Sequence, residues 1–215
     1  VDYVKPGDIH TVTLDRMMSN DGTTHLTVDM YKNKLNHPHI ADTKKLVFIV
    51  DHNVPSDCPK TAASQKKMRD FARENGIEVI YFRHNGGKGS PLEKGTADWE
   101  ICKSLYPREN DGVFDKNFNS AFKETGLKAY LDSKMVKNII LTGLQTEYCI
   151  DATCKAAFEY GYKIIIPKCG TSTFDIPGLK ADKLCKFFEE RIWAPCFAGL
   201  LHPDDIIGKM KNKDF

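Results

Sequence analysis

The sequence contains no uninterrupted apolar run that approaches the roughly 20 residues of a membrane-spanning helix. Its opening residues, VDYVKPGDIH, hold no hydrophobic stretch of the kind that a secretory signal needs. Basic residues barely outnumber acidic ones, with a net charge of +2, and no basic stripe alternates with aromatic residues. We therefore expect a cytoplasmic protein that binds neither nucleic acid nor a membrane.

The seven cysteines include no CxxC pair, the spacing typical of zinc sites, iron–sulfur clusters and redox dithiols. Their number is odd and their spacing is irregular. Such cysteines are mostly small buried hydrophobic residues in a reducing compartment. We expect one or two of them at most to be chemically special, and we predict no cofactor.

What the sequence does contain is a regular alternation of strands and helices from about residue 46. The predicted strands are 46–50, 78–82, 112–114, 138–141 and 162–166, and the predicted helices are 61–74, 120–132, 150–160 and 180–191. Strands separated by helix-length segments imply right-handed crossovers and a parallel sheet that is covered on both faces. The chain is therefore predicted to be an α/β protein, a three-layer α/β/α sandwich with a mostly parallel sheet.

Residues 1–45 have a different sequence pattern from the rest of the chain. GDIHTVTLD alternates like an edge strand, and the polar stretch that follows resembles a capped amphipathic helix. We expect a small appended subdomain over residues 1–45 and one main domain over residues 46–215.

The stretch TGLQTEYCID, residues 142–151, joins a strand to a helix through a short polar turn. It sets Cys149 at the start of the helix, where the helix dipole and backbone N–H groups favour the thiolate and lower the thiol pKa. Asp51 and Lys116 also follow strands, and sites in parallel sheets form at the carboxyl ends of strands. Lys116 would lower the thiol pKa further, and Asp51 would accept the proton and later activate water. This combination predicts a nucleophilic hydrolase.

Each of the three residues also has a structural interpretation, which position and spacing leave open. A cysteine after a strand is commonly a core residue. Asp51 can cap the segment that follows it, and Lys116 can be a solvated loop lysine.

Five segments carry the signatures of a known family: VIYFRH, PL..G..DWEI, FDKNFNSAF..T.L..YL, NIILTGLQTEYCIDATCKAAFEYGY and TSTFD. Through them, residues 78 to about 205 resemble the isochorismatase-like cysteine hydrolases, whose fold is Rossmann-like. The resemblance implies a catalytic triad of Asp51, Lys116 and Cys149. It also implies a cis peptide bond between Leu144 and Gln145, with the N–H groups of Gln145 and Cys149 forming an oxyanion hole.

The resemblance implies a small-molecule substrate but does not determine its identity, since relatives hydrolyse nicotinamide, carbamoyl amides or a vinyl ether. His84, Trp99, Phe118 and Tyr148 are candidates for the substrate pocket, and each can equally be a packing residue. The nicotinamidase branch carries an Asp/His metal site, but His84 has no second histidine nearby. We therefore predict no catalytic metal, and the family implies a homo-oligomer.

The N-terminal part, residues 1–77, resembles instead the start of the aconitase-type 3-isopropylmalate dehydratase large subunit. We interpret the chain as a chimera in which residues 46–77 are a grafted βα element. A graft can impair the site, because a misplacement of 1 Å can cost about 100-fold in rate. The alternatives to a hydrolase are an inert engineered scaffold and, more weakly, a binder of small di- or tricarboxylates that uses Ser19, Asn20, Asp21 and His52.

Overall fold

The computed structural model describes residues 46–51, 59–212 and 214–215. The predicted subdomain over residues 1–45 lies outside this part of the chain. So do Ser19, Asn20, Asp21 and His52, the residues suggested for a carboxylate binder. Those hypotheses stay predictions.

Strands and helices alternate along the described residues. The strands are β1 (Leu46–Asp51), β2 (Glu78–His84), β3 (Gly112–Lys116), β4 (Asn138–Leu144), β5 (Lys163–Pro167), β6 (Thr171–Ser172) and β7 (Gly199–Leu201). The α-helices are α1 (Pro59–Glu74), α2 (Leu127–Ser133), α3 (Asp151–Glu159), α4 (Ala181–Phe187), α5 (Ala194–Cys196) and α6 (Pro203–Asn212). Within these bounds, none of the helices is both long and apolar enough to cross a bilayer.

All strand pairs in the sheet are parallel, and the strand order is β3-β2-β1-β4-β5-β7, with β6 paired to the end of β4. The chain runs outward from β1 to β3 on one side and continues on the other side with β4. The order therefore reverses between β1 and β4. In open parallel sheets, a crevice forms at such a switch point, outside the carboxyl ends of the strands.

The central strand β1 shows why the sheet has helices on both sides. Its sequence LVFIVD is apolar over five consecutive positions, and every residue of the strand is buried. Val47 and Ile49 face one core, whereas Leu46, Phe48 and Val50 face the other. Helices α2 and α3 cover the first face, and α1 and α6 cover the second, with these buried residues: Leu127, Leu131, Cys154, Ala157 and Phe158 on one side, Met68, Ala72, Ile206 and Met210 on the other.

The predicted three-layer α/β fold is confirmed, and the main difference concerns the helix expected over residues 120–132. The observed helix α2 begins only at Leu127. Glu124 and Gly126 have φ angles of 57° and 75°, and left-handed residues cannot continue a right-handed helix. The Leu127 N–H donates to Thr125 Oγ1 at 3.2 Å, which supplies the start of the helix with an acceptor.

Candidate active site

Three chain segments bring polar side chains to the carboxyl edge of the sheet, beside the switch point. Asp51 is the last residue of β1, and Lys116 is the last residue of β3. Cys149 lies in a π-helical turn, Thr146–Ile150, that connects β4 directly to α3. Asp51 and Lys116 follow Ile49 and Phe114 by two residues, so strand alternation turns all four side chains toward the same face.

Asp51 and Lys116 form a buried ion pair. Lys116 Nζ donates to Asp51 Oδ2 at 2.7 Å, and the two side chains are 1% exposed or less. Lys116 Nζ also donates to the backbone carbonyl of Asn119 at 2.6 Å. Buried charges are tolerated when they are paired and their remaining hydrogen-bonding capacity is used. The pair therefore holds the ends of β1 and β3 in a fixed relation.

Cys149 completes the group. Its thiol is 8% exposed and lies 4.0 Å from Asn119 Oδ1, as a long S–H donor contact. The charges of both Asp51 and Lys116 act on this thiol. Asp51, Lys116 and Cys149, the three residues identified from the sequence, thus lie together in the structure.

The ion pair perturbs the protonation of its own members. Burial raises the pKa of Asp51 above its usual value, and the opposing charge of Lys116 offsets this only in part. Burial lowers the pKa of Lys116, but the charges of Asp51 and Cys149 outweigh it, so the net shift is upward. Lys116 is therefore a permanent cation over the physiological range, and Asp51 binds a proton more readily than an ordinary carboxylate.

The sequence analysis expects a lowered pKa for the Cys149 thiol, whereas its surroundings in the structure raise it. Burial raises the pKa of Cys149 to about 11, and the Asp51 carboxylate adds to the rise. Lys116 and a hydrogen bond from the backbone of Gln145 lower it, but they do not restore the usual value. At pH 7 the thiol is therefore protonated. The resting group is therefore a neutral thiol whose proton must be removed as the sulfur reacts.

Gly143 permits the close approach of β4 to the acidic residue. It pairs with Asp51 in the register of the two strands and has a φ of 145°. A Cβ at this position would lie 2.0 Å from the Asp51 backbone oxygen and 2.9 Å from Ile150 Cδ1. The peptide bond between Leu144 and Gln145, directly after Gly143, is cis, as the family resemblance implies.

The turn that carries the cysteine is anchored to the strand beside it. Thr146 is fully buried, and its Oγ1 contacts Thr171 Oγ1 at 3.0 Å and the Ser172 carbonyl at 3.1 Å. Thr173 Oγ1 donates to Glu147 Oε1 at 2.7 Å. These contacts join the turn to β6 and the residue after it. The position of Cys149 is therefore set by the sheet and not by the turn alone.

His84 lies next to the ion pair. It ends β2, stands opposite Lys116 in the register of β2 and β3, and hydrogen-bonds the backbone of Phe118. Burial and then the charge of Lys116 lower its pKa, so the imidazole is neutral at pH 7. The Phe118 ring is covered by the Lys123 ammonium at 3.7 Å. His84 and Phe118 therefore belong to the surroundings of the site, and their contact with substrate stays a prediction.

Trp99 and Tyr148 have different settings. The Trp99 ring packs under the Arg83 guanidinium, 3.8 Å from its centroid. Arg83 precedes His84 in β2, so the two side chains point to opposite faces of the sheet, and Trp99 lies on the side away from His84. Tyr148 is 53% exposed and directly precedes Cys149. A substrate-binding role for either residue stays a prediction.

Asn119 and Gly143 are parts of the site that the sequence analysis does not identify. Asn119 touches both Lys116 and Cys149, and it lies within FDKNFNSAF, a segment already noted for Lys116. Gly143 lies within TGLQ, one residue before the end of β4. A glycine at that position is the available signal, but nothing in the sequence names Asp51 as the group that it approaches.

In the part of the chain that the structure describes, no group of three or more His, Cys, Asp or Glu residues is arranged to hold a metal ion.

The Isochorismatase domain family matches residues 48–183. This match takes in most of the residues 46–77 that the sequence analysis assigns to a graft. The β1–α1 element is thus compatible with the hydrolase family without a graft. The resemblance to a dehydratase and the chimeric origin stay predictions.

Curated relatives match over different shares of their length. A secreted isochorismatase effector of Verticillium dahliae is 30% identical over 155 residues, which cover 72% of this chain and 79% of the relative. A streptothricin hydrolase of Streptomyces noursei is 31% identical, over 49% of this chain but only 38% of the relative. A ureidoacrylate amidohydrolase of Agrobacterium fabrum is 29% identical, over 47% of this chain and 58% of the relative. The chain thus spans about two fifths to four fifths of these relatives.

Solved structures support the fold. An isochorismatase from Pseudomonas putida superposes with a TM-score of 0.71 at 21% identity, covering 79% of this chain and 93% of the other. Likeness at that identity shows the architecture, whereas the domain match over residues 48–183 and the 30% identity to a relative that is largely covered show kinship. The chain belongs to the isochorismatase family.

Proposed function

We propose that this chain hydrolyses small amides, carbamoyl compounds or related substrates through a covalent thioester on Cys149. The observation that carries the proposal is the buried Asp51–Lys116 ion pair beside a buried thiol, at the switch point of the sheet. Relatives named ureidoacrylate amidohydrolase and nicotinamidase support an amide-type substrate.

In the first half of the reaction, Cys149 Sγ attacks the carbonyl carbon while its proton passes to the Asp51 carboxylate. The high thiol pKa makes this transfer necessary, and the raised pKa of Asp51 makes it a more effective acceptor. The C–N bond then breaks, and the nitrogen leaves as ammonia or an amine with the proton that Asp51 had taken. Lys116 keeps its charge throughout and stabilises the negative charge that moves between the carboxylate and the sulfur.

In the second half, water attacks the thioester carbon. Asp51 removes a proton from that water, and the proton goes to the departing sulfur, which restores the thiol. The N–H groups of Gln145 and Cys149 are our candidates for binding the oxyanion in both halves. His84, Phe118 and Tyr148 are the nearer candidates for substrate contact, and Trp99 is the more distant one.

The test is a panel of primary amides and ureido acids assayed with the wild type and with Cys149→Ala. We expect turnover by the wild type and none above background by the variant. A mass increase on Cys149 that matches the acyl group would identify the thioester directly. Cys154→Ala is a suitable control, because Cys154 lies in α3 and its thiol is buried in the hydrophobic core.

The alternative is a folded scaffold without turnover, which the prediction of a chimera raises. Equal rates for the wild type and Cys149→Ala across the whole panel would favour that alternative. So would a failure to trap any adduct on Cys149 when the other cysteines can still be alkylated.

The pH profile gives a separate prediction. A protonated Asp51 cannot accept the thiol proton, so kcat/KM should fall as pH drops through the raised pKa of Asp51. This acid limb should lie above the usual carboxyl value of 3.8. Because the thiol stays protonated until about pH 11, the plateau should extend past the range in which an ordinary cysteine ionises. A rise in kcat/KM that follows an ordinary thiol titration would contradict this assignment.

A further inference from the structure

Asn119 differs from the other groups around the thiol in being exposed. Asp51 and Lys116 are each 1% exposed and Cys149 is 8% exposed, whereas Asn119 lies at the surface of the site. Its side chain can therefore be reached by a substrate that enters from solvent. Its backbone is held in place because its carbonyl accepts the 2.6 Å hydrogen bond from Lys116. The side chain is therefore presented to an incoming substrate from a fixed point.

The side-chain oxygen is placed to meet the leaving group. Asn119 Oδ1 lies 4.0 Å from Cys149 Sγ and is contacted by the thiol in the resting site. A carbonyl carbon under attack lies about 3–3.5 Å from the sulfur. Its amide nitrogen, one bond of about 1.33 Å farther on, can be oriented within hydrogen-bonding reach of Oδ1. An amide oxygen such as Oδ1 only accepts hydrogen bonds, so it favours a leaving group that carries N–H.

We propose that Asn119 is a specificity-determining residue that accepts a hydrogen bond from the N–H of the scissile amide and so selects amides over esters of the same acid. The inference rests on the proposed function. As the substrate enters, its N–H replaces the thiol as the donor to Oδ1, and the thiol proton turns to Asp51. An ester would place an oxygen against Oδ1, leaving both acceptors without a donor and weakening binding in the transition state.

The experiment compares primary amides with methyl esters of the same acids, in three pairs: nicotinamide with methyl nicotinate, benzamide with methyl benzoate, and succinamate with monomethyl succinate. The measured quantity is the ratio of kcat/KM for the amide to that for the ester. Asn119→Leu has the same branched skeleton but no acceptor, whereas Asn119→Asp keeps an acceptor oxygen. Asn117→Leu is the matched control, because this asparagine of the same loop is also exposed and accepts from Asn85 at 3.0 Å.

We expect Asn119→Leu to lower the amide-to-ester ratio by about tenfold or more. The fall should come from the amide rate, and the ester rate should be retained. Asn119→Asp should keep the ratio near that of the wild type, although its added charge lowers both rates. Asn117→Leu should change neither rate. Thermal melting of each variant shows whether it is folded, and Asn119→Ala, which also lacks an acceptor, replaces the leucine variant if that one is not.

The outcomes separate this inference from the proposed function. Equal losses on amides and esters in a folded Asn119→Leu, or no loss on either, overturn the role of Asn119 alone. Turnover of esters only, dependent on Cys149, overturns the selection of amides and keeps the nucleophile. No turnover of either class by the wild type overturns the proposed function and this inference with it.

Discussion

Replacing Asp51 by asparagine is expected to lower kcat/KM by about 10³–10⁴-fold while making the Cys149 thiol easier to ionise. The two effects have opposite signs because Asp51 has two influences. As a base it accepts the thiol proton during attack. As a charge it holds the thiol pKa up, and it is the largest contributor to that rise after burial. Asparagine removes both influences and leaves the Lys116 ammonium without a counter-charge.

The thiolate can be titrated by its ultraviolet absorbance, with Cys149→Ala subtracted as a blank. We expect a pKa below the value of about 11 in the wild type. Asp98→Asn is a matched control, since this aspartate is exposed and lies on the loop before Trp99. If the Asp51 variant kept more than about a tenth of its activity, Asp51 would not be the base. If activity fell with no change in the thiol pKa, the carboxylate would act on the substrate and not on the sulfur.

Gly143→Ala is expected to destabilise the fold by more than about 3 kcal/mol and, in whatever fraction folds, to reduce turnover by about 100-fold or more. The added methyl would lie 2.0 Å from the backbone oxygen of Asp51, so β1 and β4 must move apart at the position that carries the base. The Asp51–Lys116 ion pair would be displaced with it. Urea unfolding gives the stability, and kcat/KM on the best amide of the panel gives the activity.

Alanine substitutions at two other glycines serve as controls. They distinguish the steric clash at Gly143 from the cost of a positive φ angle. Gly126 also has a positive φ, of 75°, but a Cβ there would meet nothing within 4 Å. Gly126→Ala should therefore cost only the conformational penalty of about 1–2 kcal/mol. Gly208 lies in α6 with open space around it, and Gly208→Ala should be neutral or slightly stabilising. A Gly143→Ala protein that behaved like the Gly126 variant would show that the close approach carries little energy.

The sequence predicts the fold because its local signals agree. LVFIV, EVIYF and NIIL are buried strands, helix-length segments lie between them, and that alternation leaves few topologies besides a parallel sheet. The candidate residues Asp51, Lys116 and Cys149 could be identified for the same reason, since each follows a strand and parallel strands end at one edge.

What the sequence does not reveal depends on distance and burial. The thiol pKa was expected to fall, because a helix start and a lysine both lower it. Burial of Cys149 raises the pKa instead, and burial is not visible in a motif. Asn119 is not identified because its contacts with Lys116 and Cys149 depend on how the loop after β3 folds. The late start of helix α2, compared with the helix expected over 120–132, depends on a left-handed Glu124, a conformation that its residue type disfavours.

The ion pair also has a mechanical consequence for the sheet. Among the strands of the described residues, β3 lies at the edge of the sheet, and β2 separates it from β1. Lys116 nevertheless forms a salt bridge with Asp51 across the end of β2. This salt bridge connects the edge strand β3 to the central strand β1. Local opening of β3 would separate the charges of Lys116 and Asp51 while both remain buried, which is unfavourable. Amide hydrogen exchange in β3 should therefore be slower than its border position suggests, and it should quicken when Asp51 is neutralised.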